Sequence, residues 1–158
     1  MKMKYFIIGV LVLIIIVLFI LFYKNKKNVN NIEDIKQLHF SYSTGYHHNA
    51  SIDYEIVCDS ECKLYFKDDG VSYEDRKEYK IDKDILKEIE DKLNEYEVIN
   101  WNNYNKSSQD VLDGNSFSIN IKYKDDESIS AHGYESWPKN YREVRSYLDN
   151  TFSKYINK

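Results

Sequence analysis

Phe117-Ser118-Ile119-Asn120-Ile121-Lys122-Tyr123, followed across Asp125-Asp126-Glu127 by Ile129-Ser130-Ala131-His132-Gly133, is the stretch that decides the fold. Apolar side chains recur at every second position of both runs, the period of a strand with one buried and one wet face. The acidic trio between them is a turn, so the two runs read as an antiparallel hairpin.

Working outward, Pro138 suits the first turn of a helix because its fixed φ costs nothing there. The spacing predicts a helix from Pro138 to about Ile156, with Tyr141, Val144, Leu148, Phe152 and Tyr155 facing inward. Toward the N-terminus, the polar stretch Asn102 to Gln109 reads as a loop and Asp113-Gly114-Asn115 as a turn. A second amphipathic helix is predicted from Lys83 to about Tyr96, its stripe made by Ile85, Leu86, Ile89, Leu93 and Tyr96. Asp82 stands at its N-cap, where a carboxylate can accept from free amides. Before it, alternation marks strands at Leu38-Phe40-Tyr42, at Ile52-Tyr54-Ile56 and at Lys63 to Lys67, with a short fourth around Glu78 to Ile81. Asp68-Asp69-Gly70 is a turn between the last two. The order βββ(β)-α-ββ-α gives an α+β domain, an antiparallel sheet of five to six strands with two helices on one face.

The first 27 residues differ in kind. Tyr5 to Tyr23 is an uncharged run of 19 residues, with Lys2 and Lys4 before it and Lys24, Lys26 and Lys27 after. As a helix it reaches roughly 28 Å, close to the ~30 Å hydrocarbon core. With no small-residue cleavage trio after it, the run is expected to stay as a single-pass signal-anchor whose partner is the lipid bilayer through residues 5–23. The lysines on its two flanks nearly balance, so orientation rests on an N-terminal anchor acting as an export signal. The expected organisation is an anchor at 1–27, a tether at 28–37 and one domain at 38–158, at the cell membrane and outside the cytoplasm.

The domain is acidic: residues 28–158 hold 17 basic and 26 acidic groups. A nucleic-acid binder presents a basic stripe to phosphates, so that class is excluded. About 130 residues suffice for one core. Fifteen Tyr against one Pro and five Gly suit an aromatic sheet rather than a disordered stalk.

Cys58 and Cys62 are the only cysteines, flanking Asp59-Ser60-Glu61 between two strands. A hairpin there brings their Cα atoms within the ~7 Å a disulfide needs, and an exported domain keeps it oxidised. C-x-x-x-C between strands is not the C-x-x-C of thiol oxidoreductases. His39, His47, His48 and His132 lack metal-ligand spacing, and Asp110, Asp113, Gly114 and Asn115 do not complete a calcium loop. Phosphate-loop, nucleophile-elbow and dinucleotide signatures are absent. No catalytic residue, cofactor or metal is therefore assigned. Tyr46, Tyr54, Tyr65, Tyr73 and Tyr104 are candidates for an aromatic binding face, while Trp101 and Trp137 read as core or rim.

Asp113-Gly114, Ser116-Phe117-Ser118-Ile119, Ile129-Ser130-Ala131-His132-Gly133 and Trp137-Pro138-Lys139-Asn140-Tyr141 together resemble a recurring segment of uncharacterised bacterial envelope proteins and lipoproteins. The resemblance covers about 45 residues, carries no assigned activity, and implies an envelope location. The expected function is a binding or interaction module at the cell envelope, with an envelope protein or polymer as partner. The alternatives are an envelope enzyme using His132 or His39 with acids, and an inward-facing tethered regulator.

Overall fold

Residues 14–17, 31–45, 50–108, 110–111, 113–124 and 127–157 are described in the computed structural model. Ile32–Lys158 forms one compact unit. Its strands are β1 (Ile35–Thr44), β2 (Ala50–Cys58), β3 (Cys62–Lys67), β4 (Lys77–Ile81), β5 (Tyr104–Ser107), β6 (Ser116–Tyr123) and β7 (Glu127–Tyr134). Two helices, α1 (Lys83–Glu95) and α2 (Tyr141–Ile156), and a 3-10 turn at Val98–Trp101 complete it.

The strands form one sheet in the order β4-β3-β2-β1-β6-β7-β5. Two features of the expected sheet are corrected. It has seven strands rather than five or six, and it is mixed, because β5 pairs in parallel with β7 (Tyr104↔Ala131 to Ser107↔Tyr134). All other pairings are antiparallel. Residues 104–107 lie within the stretch read as a loop. They make an edge strand whose last three side chains face solvent, and such a strand leaves no alternating apolar signature.

The membrane anchor is corrected as well. Among the described residues no helix is long and apolar enough to cross a membrane. Of the run at 5–23 only 14–17 are described, as helix, and the rest lies outside the described residues. That finding contradicts the membrane, single-pass and signal-anchor readings.

One face of the sheet is the core. Leu38 and Phe40 of β1, Tyr54 and Ile56 of β2, Leu64 and Phe66 of β3, and Phe117, Ile119, Ile121 and Tyr123 of β6 are buried on it. Helix α1 contributes Leu86, Ile89 and Leu93, and α2 contributes Tyr141, Val144, Leu148 and Phe152. The domain begins before the alternation at Leu38. A register shift between Ile35 and Gln37 turns Ile35 inward, and Glu90 Oε1 accepts from its amide at 2.9 Å. Asn94 clamps Ile32 by both backbone groups, at 2.8 Å each. Asp82 occupies the N-cap of α1 in extended conformation without a side-chain bond. Helix α2 starts three residues after Pro138, because Asn140 takes a left-handed conformation (φ 62°) and its side chain donates to Tyr96 O.

Cys58 and Cys62 face each other across β2 and β3 in a disulfide, Cα atoms 4.2 Å apart.

Candidate functional site

The sheet face away from the helices is polar and carries a charged network. Glu55 is its hub: Oε1 accepts from Gln37 Nε2 at 2.7 Å, and Oε2 accepts from the Tyr73 hydroxyl at 3.0 Å and from Arg76. The Arg76 guanidinium lies between the Tyr65 ring at 4.0 Å and the Tyr73 ring at 4.1 Å. Burial alone raises the Glu55 carboxyl, but the bonds from Gln37, Tyr73 and Arg76 outweigh it and hold the pKa below the usual value. The whole arrangement staples the β3–β4 connection onto the sheet.

One cross-strand step away, His39 Nε2 meets Asp53 Oδ2 at 2.9 Å. The bond to Asp53 raises the histidine pKa above 6.5; burial opposes it, the charges of Asp53 and Glu55 add to it, and Arg76 subtracts. A group raised in the folded state stabilises the fold fully below about pH 6.5, and that contribution is lost as pH rises through the folded-state pKa. We expect His39 to titrate above 6.5 by NMR and Asp53→Asn to bring the midpoint down; an unmoved midpoint refutes the assignment. No serine hydroxyl among the described residues bonds to His39.

The other sequence-level candidates are scattered. Tyr54 is buried in the core against Phe152, 4.8 Å between ring centroids, Tyr65 and Tyr104 are half-buried, and only Tyr73 is exposed. They do not form one aromatic face, and Tyr46 lies outside the described residues, as do His47 and His48. His132 is exposed on β7, opposite Ser118. Among the described residues no group of three His, Cys, Asp or Glu side chains is placed to hold a metal. Trp101 is core, its Nε1 donating to Lys139 O at 3.0 Å.

A concavity sits elsewhere, at the end of the sheet where β1 finishes and β6 begins, beside α2. It encloses about 700 Å³. Ser43 and Ser116, joined by their hydroxyls at 2.8 Å, form one wall. Trp137 and Tyr141, stacked at 4.6 Å and 21°, form an aromatic floor resting on Phe117. Arg142, Arg145 and Asp149 enter from successive turns of α2, and Glu135 from the connection after β7.

Two of these four charges are already matched. Asp149 accepts from the hydroxyls of Tyr42 (3.0 and 3.1 Å) and Tyr54 (3.0 Å), and Arg145 Nε lies 3.6 Å from it. The Arg145 guanidinium also covers the Tyr42 ring at 3.8 Å. Burial, then the Asp149 charge, pushes both tyrosine pKa values up. The other two charges are open. Arg142 makes no ion pair among the described residues, and Glu135 uses Oε1 for the Asn115 backbone amide and for Asn115 Nδ2 (2.7 Å), leaving Oε2.

One group inside is unsatisfied. Tyr141 is 5 % exposed, and its hydroxyl has no hydrogen-bond partner among the described residues. Burial raises its pKa to about 12, although the nearby positive charge of Arg145 works against this. A buried hydroxyl without a partner costs about 1–3 kcal/mol, and the Arg145 side chain, which acts on this hydroxyl, is the group placed to meet it.

Sequence reasoning missed this cleft because its lining comes from four separate segments. Of the lining, Asn115 reads as part of a turn, Ser116 as part of the recurring segment, Trp137 as rim and Tyr141 as helix stripe, and none of these readings brings them together. A scan against protein-family models found no match to the chain, and a search of curated proteins found none.

Proposed function

We propose that this domain is a binding module and that its ligand enters the cleft over Trp137 and Tyr141. The observation that carries the reading is the cleft of about 700 Å³ in which the Trp137–Tyr141 stack lies beside Arg142, an arginine with no ion pair among the described residues. A site of this size with an aromatic floor and a few convergent polar groups is the usual form of a small-molecule pocket. Catalysis is not favoured: the histidine–carboxylate pair lies on the opposite face of the sheet, and the cleft contains no histidine.

The test is a small-fragment screen on the full-length chain, read by the Trp137 indole NMR resonance. Binders are expected to shift Trp137, and Phe117→Leu, which loosens the floor, to weaken them. If no fragment moves Trp137, the reading is wrong.

The Cys58–Cys62 bond supports work outside the reducing cytosol, at the cell envelope, because such bonds persist in oxidising compartments. Intact cells treated with an impermeant reductant and then an impermeant maleimide are expected to label both cysteines. Labelling only after lysis and denaturation would refute that location.

A further inference from the structure

We infer that the cleft takes a zwitterion of the α-amino-acid class, its carboxylate on Arg142 and its ammonium on Glu135. The inference rests on the binding reading above and adds the ligand's chemistry. It follows from what remains once the cleft's internal partners are assigned. Arg145 and Asp149 face each other, and Asp149 also receives two tyrosine hydroxyls, so each of these charges is answered within the protein. Two charged groups of the lining remain without an ion pair among the described residues, the exposed Arg142 guanidinium and Glu135 Oε2, a donor fork and an acceptor in the same cleft.

A simple anion matches the arginine but leaves Glu135 facing it, and like charges brought together in a half-enclosed site repel. A dianion such as phosphate meets both Glu135 and Asp149 and fares worse. A simple cation has the mirror-image problem at Arg142 and Arg145. An overall neutral ligand with separated charges satisfies both open groups at once. The Trp137–Tyr141 stack offers its side chain an apolar contact.

The probes are L-phenylalanine, D-phenylalanine, phenylacetate, phenethylamine and inorganic phosphate, titrated into the full-length chain and followed at the Trp137 indole and by calorimetry. Either enantiomer of phenylalanine is expected to bind at least tenfold more tightly than phenylacetate or phenethylamine, with phosphate weaker than all of them. Arg142→Gln is expected to weaken phenylalanine and phenylacetate tenfold or more and to spare phenethylamine. Glu135→Gln keeps an oxygen for Asn115 and is expected to weaken phenylalanine and phenethylamine while sparing phenylacetate. Phenylacetate or phosphate binding as tightly as phenylalanine would overturn the zwitterion while leaving a binding cleft. Silence from all five probes, with other fragments still shifting Trp137, would overturn the ligand class alone; silence from every fragment would remove the binding reading as well.

Discussion

Phe117→Ala is expected to destabilise the domain by about 3–5 kcal/mol, the cost of emptying a fully buried aromatic site. Phe117 is 1 % exposed, and its ring touches those of Trp101, Tyr104, Trp137 and Tyr141 at centroid distances of 4.7 to 6.2 Å. Four aromatic neighbours held on two separate stretches of chain, 101–104 and 137–141, cannot all collapse into the void, which places the cost at the upper end of that range. The check is urea unfolding followed by tryptophan fluorescence. A loss below about 1 kcal/mol would mean that the neighbours repack, and the aromatic floor of the cleft would then not depend on Phe117.

Gly133→Ala should be nearly as damaging, about 3 kcal/mol, although it adds a single methyl group. A β-carbon at this position would collide with the Ser136 carbonyl oxygen and with the edge of the Phe117 ring. The carbonyl is backbone at the exit of β7, so relief requires the strand end to move, and Tyr134, Glu135 and Trp137 would move with it. Thermal unfolding is expected to fall by about 10 °C, and the Trp137 indole resonance to shift in the native state. A native-like spectrum with unchanged stability would show that the chain after β7 yields freely.

These two positions also show what the sequence could reveal. The alternation Phe117-Ile119-Ile121-Tyr123 against Ile129-Ala131-Gly133 identifies β6 and β7 almost to the residue, since each side chain on one face is buried. The stripe of α1 and most of that of α2 were legible for the same reason at helical period. β5 was not legible: three of its four residues face water, and its pairing with β7 is parallel, a relation to a distant partner that leaves no local trace. The inward turn of Ile35 depends on a bulge, which shifts parity by one residue and defeats a reading based on alternation. The cleft escaped because Ser43, Glu135, Trp137 and Arg142 share no motif; their proximity comes from the β1–β6 pairing and the connection from β7 into α2. The unmet Tyr141 hydroxyl is invisible to any pattern of residue types, since only placement shows what a group lacks.

The β1–β6 pairing has a kinetic consequence. Strands β1 to β4 follow one another as neighbours, and so do β6 and β7, so each of those sets can zip locally across short turns. The seam between them joins Phe40 to Ile119 and Leu38 to Ile121, residues roughly 80 positions apart, in the middle of the sheet. Closing so long a loop costs chain entropy before any contact returns it, and distant pairings of this kind slow the rate of folding. The hydrophobic centre of the molecule thus depends on the costliest closure in the sheet, and until that seam closes the walls of the cleft, Ser43 on β1 and Ser116 on β6, are not brought together.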